Sequence, residues 1–171
     1  YVLGVATAQK HAKKANSETV FTINKFFDFN HSKKIQKKFR KFNFIFARNV
    51  VAHLNNPNEI FKGVENLLSE DGIFILEVPH LLNIIKQNQY DNIFHEHIGF
   101  HSLKSINDLR KRNKLQVLDV DLINSQGGSI RCFISKCKIE NKISKKVDNI
   151  LNTEKKSKLF SNKELEKFEI K

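Results

Sequence analysis

Residues 42–47 read FNFIFA and run directly into Arg48, Asn49 and His53, while residues 73–78 read IFILEV and stop at Pro79. Each is an apolar run of strand length without the alternation of a half-solvated strand, which predicts strands buried in a parallel sheet. Between them Ile60, Phe61, Val64, Leu67 and Leu68 form one apolar stripe at helical spacing. Pro57 suits the first turn of that helix with Asn56 as its cap, and Asp71-Gly72 reads as its end. A buried strand, an amphipathic helix and a second buried strand are the repeating unit of a doubly wound α/β sheet.

The same alternation extends in both directions. Val2 to Val5 reads as a strand, Ala8 to Ala15 as a helix, and β-branched Thr19 to Ile23 as a strand that ends at Phe26 and Phe27. Ser32 to Phe39 reads as a short basic helix capped by Ser32. Further on, Ser102 to Asn113 is a capped helix with Ile106 and Leu109 inward. Leu115 to Ile123 and Ser129 to Lys136 are strands joined by NSQGG, whose glycine pair predicts an antiparallel hairpin. Residues 1–136 are therefore expected to form a mostly parallel sheet, with helices on both faces and Ser129 to Lys136 antiparallel. From Lys138 the composition changes. Ile143, Val147, Ile150 and Leu151 make a weak helical stripe among many lysines, which divides the chain into a domain over 1–137 and the start of a second unit over 138–171.

At 171 residues with 40% hydrophobic content the chain can bury a proper core. The formal charge of +12 and pI near 9.7 raise nucleic-acid binding. Against it, the base is diffuse Lys, with Arg only at 40, 48, 110, 112 and 131, so neither a nucleic-acid nor a membrane partner is expected. Cys132 and Cys137 offer no CxxC pair, and no apolar run approaches the ~20 residues of a membrane span. These features predict a reduced, cytoplasmic protein. The chain opens on Tyr1 inside a strand, as expected of a piece of something longer.

Residues 89–101, QYDNIFHEHIGFH, have neither helical nor strand period and hold three of the seven histidines beside two carboxylates and several aromatic residues. Burying such a mixture unpaired is costly, so the stretch reads either as a site, with His95, Glu96 and His97 as its first candidates, or as a polar loop that is rich in histidine. In doubly wound sheets ligands bind beyond the carboxyl ends of the strands. The polar residues there are Asn49 and His53 after one strand and Glu77 and His80 at the next. A metal held by His95, His97 and His101 is a rival reading, but an HExxH helix is absent and no metal is expected.

The segments NVVAHL at 49–54, LLSEDGIFILEVPHL at 67–81, QYDNIFHEHIGFHSL at 89–103 and GGSIR at 127–131 together resemble the S-adenosylmethionine-dependent sugar C-methyltransferases. These enzymes methylate a carbon beside the ketone of a nucleotide-linked 4-keto-6-deoxysugar. The resemblance implies a Rossmann-like class I methyltransferase sheet, here incomplete, with S-adenosylmethionine as cofactor and a nucleotide-linked sugar as substrate. It implies His97 as general base, Glu96 as its acidic neighbour, and Asn49 and His53 as donors to a developing enolate. Phe94, His95, Arg131 and His80 fall on substrate-binding positions, and Asn49 and Phe27 on cofactor-binding ones. Phe94 and Phe100 stand where the family commonly has Tyr. Two departures concern the cofactor: none of the six glycines forms a GxG loop, and Ala6-Thr7 replaces the acid expected to bind the ribose. The alternative is a truncated or degenerate methyltransferase domain that binds a nucleotide sugar or a protein partner without catalysis.

Overall fold

The computed structural model describes residues 1–138 and 142–169. Its first part comprises β1 (Gly4–Val5), α1 (Gln9–Ser17), β2 (Thr22–Ile23), α2 (Phe29–Lys38) and β3 (Phe42–Arg48). A 3-10 turn at Val51–His53 leads to α3 (Asn58–Leu67), β4 (Leu68–Pro79) and α4 (Leu81–Lys86). A second such turn at Tyr90–Asn92 precedes α5 (Leu103–Arg112), β5 (Leu115–Ile123), β6 (Ser129–Lys136), α6 (Lys145–Lys156) and α7 (Asn162–Glu169).

Four strands form one sheet in the order β3-β4-β6-β5. β3 and β4 are parallel, and β6 is antiparallel to both its neighbours, so β3, β4 and β5 point one way and β6 is reversed. This is the Rossmann-like, mostly parallel arrangement expected, with the antiparallel strand where the glycine turn placed it. β1 and β2 pair in parallel as a separate two-stranded sheet.

One face of the large sheet is the core. Phe74, Leu76 and Val78 of β4, Ile130, Cys132 and Ile134 of β6, and Val117 and Val120 of β5 pack against Ile60, Phe61 and Val64 of α3, Leu103 and Ile106 of α5, and Val147 of α6. These strand residues face one side of the sheet, the β5 irregularity between Val117 and Asp119 bringing Val117 and Val120 onto the same face, so α3, α5 and α6 all cover that face. That corrects the expectation of helices on both faces of this sheet. On the other face Phe44 and Phe46 are 63% and 70% exposed. FNFIFA is thus an edge strand with one apolar side open, not a buried one. Farther along the same face, facing residues form a row of alternating charge: Arg48, Glu77, Arg131 and Asp121.

Several ends differ from the sequence reading for identifiable reasons. α2 starts at Phe29 because Asp28 caps it, its Oδ1 accepting from the His31 amide at 2.7 Å, and Ser32 is buried inside the helix with its hydroxyl donating to Phe29 O. No side chain caps α3; Asn56 contributes only its carbonyl, to Glu59 N. The helix stops at Leu67, and β4 begins at once because Leu68 pairs with Phe42. Asp71-Gly72 lies within β4, in the irregular stretch where Phe44 takes Ile73 as its next partner. The cap on α5 is the expected Ser102, in a box with Ser105. β5 and β6 have the expected bounds, joined by Gly127 and Gly128 at φ +74° and +109°.

The helix read as the opening of a second unit is folded onto the sheet. α6 packs on β5 and α5, and its Glu154, 1% exposed, is among the most buried polar residues. Glu154 Oε1 accepts from His80 Nε2 at 2.8 Å and from Leu103 N at 2.6 Å, and Oε2 accepts from Lys104 N at 3.0 Å. A carboxylate thus caps the N-terminus of α5 from outside that helix, where the helix dipole favours negative charge. Glu154→Ala leaves His80 and two helix amides unpaired in the core and is expected to cost about 3–5 kcal/mol. Urea unfolding checks this, and a loss below about 1 kcal/mol would show that the clamp is dispensable.

Candidate active site

Beyond the carboxyl ends of β3 and β4 lies an open pocket of about 630 Å³ lined by His53, Gln89, Asp91, Asn92, Phe94, His97, Gln126 and Gly127. Three chain segments meet there. The first is the 3-10 turn after β3, which carries His53. The second is the histidine stretch after α4. The third is the β5–β6 turn, where the Gln89 side chain donates to Gly127 O at 2.7 Å. A Cβ on Gly127 would displace the Gln89 amide 2.5 Å away, and the φ of +74° favours glycine there.

The histidine stretch is irregular but firmly tied. The amides of Ile98 and Gly99 both donate to Ala52 O, at 2.8 and 3.0 Å, and His53 Nδ1 meets Glu96 O at 2.8 Å. These three bonds zip the loop to the turn and set the His53 and His97 rings 4.9 Å apart. His97 Nδ1 in turn lies 2.8 Å from Asn92 O. A carbonyl only accepts, so in both residues Nδ1 carries the hydrogen, and the neutral ring keeps its lone pair on Nε2. Phe94 packs against His97 at 4.1 Å between ring centres, with Phe100 edge-on at 6.2 Å. Two imidazoles with a defined tautomer, beside an aromatic face and several amide and carboxylate groups, can exchange a proton with a bound polar molecule.

The other sequence candidates are placed as follows. Glu96 is 64% exposed; its carboxylate sits 3.8 Å from His95, and it meets the site through its backbone carbonyl instead. His95, 88% exposed, points away from the pocket lining. His80 is buried against Glu154, outside the lining. Arg131 bonds to Glu77 Oε2 through Nε and a terminal nitrogen at 3.2 and 3.0 Å, and Arg48 takes Oε1 at 3.1 Å, so one buried carboxylate is shared by two guanidinium groups. Phe27 packs against Gly63 of α3 and lines a different cavity, beside β3. Asn49, at φ +51°, donates its amide to Glu77 O, while its buried Oδ1 has no partner. Sequence reasoning assigned no role to Gln89, Asp91, Asn92 or Gln126. They stood in view, in the aperiodic stretch and the glycine turn, and the signal was their adjacency to the histidines.

The residues offer a partial fit to an adenosyl donor. Asn49 Oδ1 is an orphaned acceptor at a strand end that suits an ammonium or amino group. The end of β1 does not offer a carboxylate to a ribose diol; the Ala6 and Thr7 carbonyls are taken by the Asn24 side-chain amide at 2.9 and 2.8 Å.

A family model described as a methyltransferase domain matches residues 5–120. The chain belongs to this methyltransferase family. It is 34% identical over 154 residues to the C-methyltransferase NovU of Streptomyces niveus, a match covering 90% of this chain and 37% of that protein, so the chain spans about a third of the relative's length. Among solved structures it is similar to a SAM-dependent methyltransferase from Anabaena variabilis ATCC 29413, with a TM-score of 0.61 at 14% identity over 79% of this chain and 68% of that one. An S-adenosylmethionine-dependent methyltransferase from Clostridium acetobutylicum ATCC 824 superposes with a TM-score of 0.58 at 15% identity, covering 80% and 75%. The fold is therefore the class I methyltransferase fold. No helix among the described residues is long and apolar enough to cross a membrane.

Beneath the pocket His101 is buried, its ring donating to the Val51 carbonyl and its Nε2 without a partner. Desolvation disfavours the imidazolium and, against that one backbone bond, holds its pKa below the usual 6.5. The unfolded chain therefore binds this proton at a higher pH than the folded one. The resulting stability is fully present above about pH 6.5 and is lost as pH falls from there toward the lowered folded value. Urea midpoints measured between about pH 8 and 5 should fall on the acid side, and His101→Leu should flatten that part of the profile. An unchanged slope would place the acid sensitivity elsewhere.

Proposed function

We propose that this domain carries the proton-transfer half of a C-methylation, in which a methyl group passes from S-adenosylmethionine to a carbon beside the ketone of a nucleotide-linked deoxysugar. The observation that carries the proposal is His97: an imidazole whose Nδ1 donates to Asn92 O and whose Nε2, uncommitted, lines the pocket. A hydrogen beside a ketone is removed by a base whose lone pair reaches it, and a ring nitrogen that is not committed to a hydrogen bond can serve as that base.

The lining supports a sugar as the molecule held. Gln89, Asp91, Asn92 and Gln126 offer donors and acceptors to hydroxyl groups, and the Phe94 ring offers an apolar face. His97 takes the proton from carbon, and His53, 4.9 Å away between ring centres, donates to the enolate oxygen in its protonated form. Bound S-adenosylmethionine supplies the electrophilic methyl carbon that the enolate takes. The similarity to a C-methyltransferase supports carbon as the acceptor. A second reading, a domain that binds a nucleotide sugar without transferring methyl, is favoured by the end of β1, where Asn24 occupies the carbonyls and no carboxylate is offered.

In deuterated water, with a nucleotide-linked 4-keto-6-deoxysugar and no methyl donor, the chain should exchange the hydrogen beside the ketone. His97→Gln should slow exchange by roughly 10²–10⁴-fold with sugar-nucleotide affinity within a few-fold, because a general base acts in the transition state. Undiminished exchange in His97→Gln, together with its loss in His53→Gln, would move the base to His53. Calorimetry of this chain with S-adenosylmethionine should show no micromolar binding, because Asn49 alone does not anchor the donor. Tight stoichiometric binding would show that the end of β1 was misjudged.

A further inference from the structure

We propose that Tyr90 is a positioning residue for His97 and that α7 sets it: the contact between Phe168 and Tyr90 fixes the short turn whose Asn92 carbonyl orients the imidazole. This role belongs to the site described above and rests on reading His97 as its base.

The turn has little of its own to hold it in place. Tyr90–Asn92 is a single 3-10 turn with no buried residue, so none of its side chains anchors it in the core. Hydrogen bonds in such turns have poorer geometry than those of an α-helix. The bonds from Asn92 N to Gln89 O at 3.2 Å and from Ile93 N to Tyr90 O at 2.9 Å fix the shape of the turn but not its place in the molecule. Place is what matters to the site, because Asn92 O holds the His97 ring only while it stays 2.8 Å from Nδ1.

Two side chains at the start of the turn reach other elements. Gln89 donates to Gly127 O and ties the stretch to the β5–β6 turn. Tyr90 is bound to α7, 78 residues away in sequence. Its ring stacks on Phe168 with 4.6 Å between centres and 14° between planes, and its hydroxyl donates to the Phe168 carbonyl. The stacked faces set the separation and tilt of the ring, and the hydroxyl bond sets its rotation, so together they locate the residue that opens the turn. Tyr90 does not line the pocket, although Gln89, Asp91 and Asn92 do. It therefore acts through its neighbours and not on a bound molecule.

The support is itself anchored. Leu159, in the link between α6 and α7, is buried, and Leu165 N donates to Ser161 O where α7 begins. The same C-terminal segment carries Glu154, which takes His80 and two amides of α5. One segment thus fixes the helices that flank the histidine stretch through Glu154 and the turn inside that stretch through Phe168.

The role is read from ¹⁵N spectra of the histidine side chains in the full chain, without ligand, near pH 8. Phe168→Ala removes the stacked ring and Tyr90→Leu removes both ring and hydroxyl, and each should move His97 toward a mixture of the two tautomers. His53 should keep its proton on Nδ1, since Glu96 O holds it. Phe168→Tyr, which keeps a ring, should read as the parent. With the 4-keto sugar nucleotide in deuterated water, Tyr90→Leu should slow exchange about tenfold with affinity within a few-fold, because a displaced base costs rate rather than binding. An unchanged His97 tautomer in both Phe168→Ala and Tyr90→Leu overturns the proposal. So does equal loss at His53 and His97, which would make the contact a general support of the fold. A parent chain that exchanges no hydrogen overturns the reading of His97 as base, while the spectra decide independently whether Tyr90 orients its ring.

Discussion

One carboxylate holds together parts of this molecule that lie far apart in sequence. Glu154 comes from α6, yet it accepts from His80 Nε2 at the end of β4 and from two amides that begin α5. Placing an ionised group at 1% exposure is unfavourable unless its lone pairs are filled, and here three donors converge on it. The consequence reaches the pocket. The histidine stretch follows α4, which begins just after His80, and ends at the N-terminus of α5, so the starts of both flanking helices rest on Glu154. Between them Leu81 N donates to His101 O at 2.9 Å and closes the base of the loop.

A loop without secondary structure can hold catalytic groups only if its backbone is satisfied by something rigid. Ala52 O performs that service by accepting two amides, and the carbonyls of Asn92 and Glu96 orient the two imidazoles. Orientation here is done by the main chain, which explains why Glu96 can direct its side chain to solvent and still take part. Arg48 and Arg131 are similarly committed: Glu77 takes up both, so the charges at these strand ends stabilise the sheet rather than stand ready for an anion. The same row continues through Asp121 to Lys146, whose carboxylate partner lies at 2.7 Å.

Much of the fold was legible from local pattern. β5, β6 and the capped α5 are defined by β-branched runs, a glycine pair and a serine, all of which act within a few residues. The class of fold and the aperiodic stretch that lines the pocket were legible for the same reason. What escaped was decided at long range. Glu154 looks like any charge on a lysine-rich helix until the fold brings it to His80, 74 residues away. FNFIFA has the composition of a buried strand, and only the strand order shows that one of its edges and one of its faces are open. Asp28 outcompeted Ser32 as a cap because Ser32 lies one turn inside the helix, packed at zero exposure. Neither His80 nor His95 is among the residues that line the pocket, one being sealed in the core and the other exposed to solvent, and motif position alone shows neither fact.

The central claim is that backbone carbonyls orient His53 and His97 through Nδ1, leaving Nε2 of each free to exchange a proton with the bound molecule. Long-range ¹H–¹⁵N correlation spectra of the histidine side chains near pH 8 read the tautomer directly. Both residues should show a protonated Nδ1 and an unprotonated Nε2, with the Nδ1 proton protected from solvent by its carbonyl partner. A spectrum in which His97 carries its proton on Nε2, or averages rapidly between the two tautomers, would mean that Asn92 O does not orient the ring, and the pocket would lose its base.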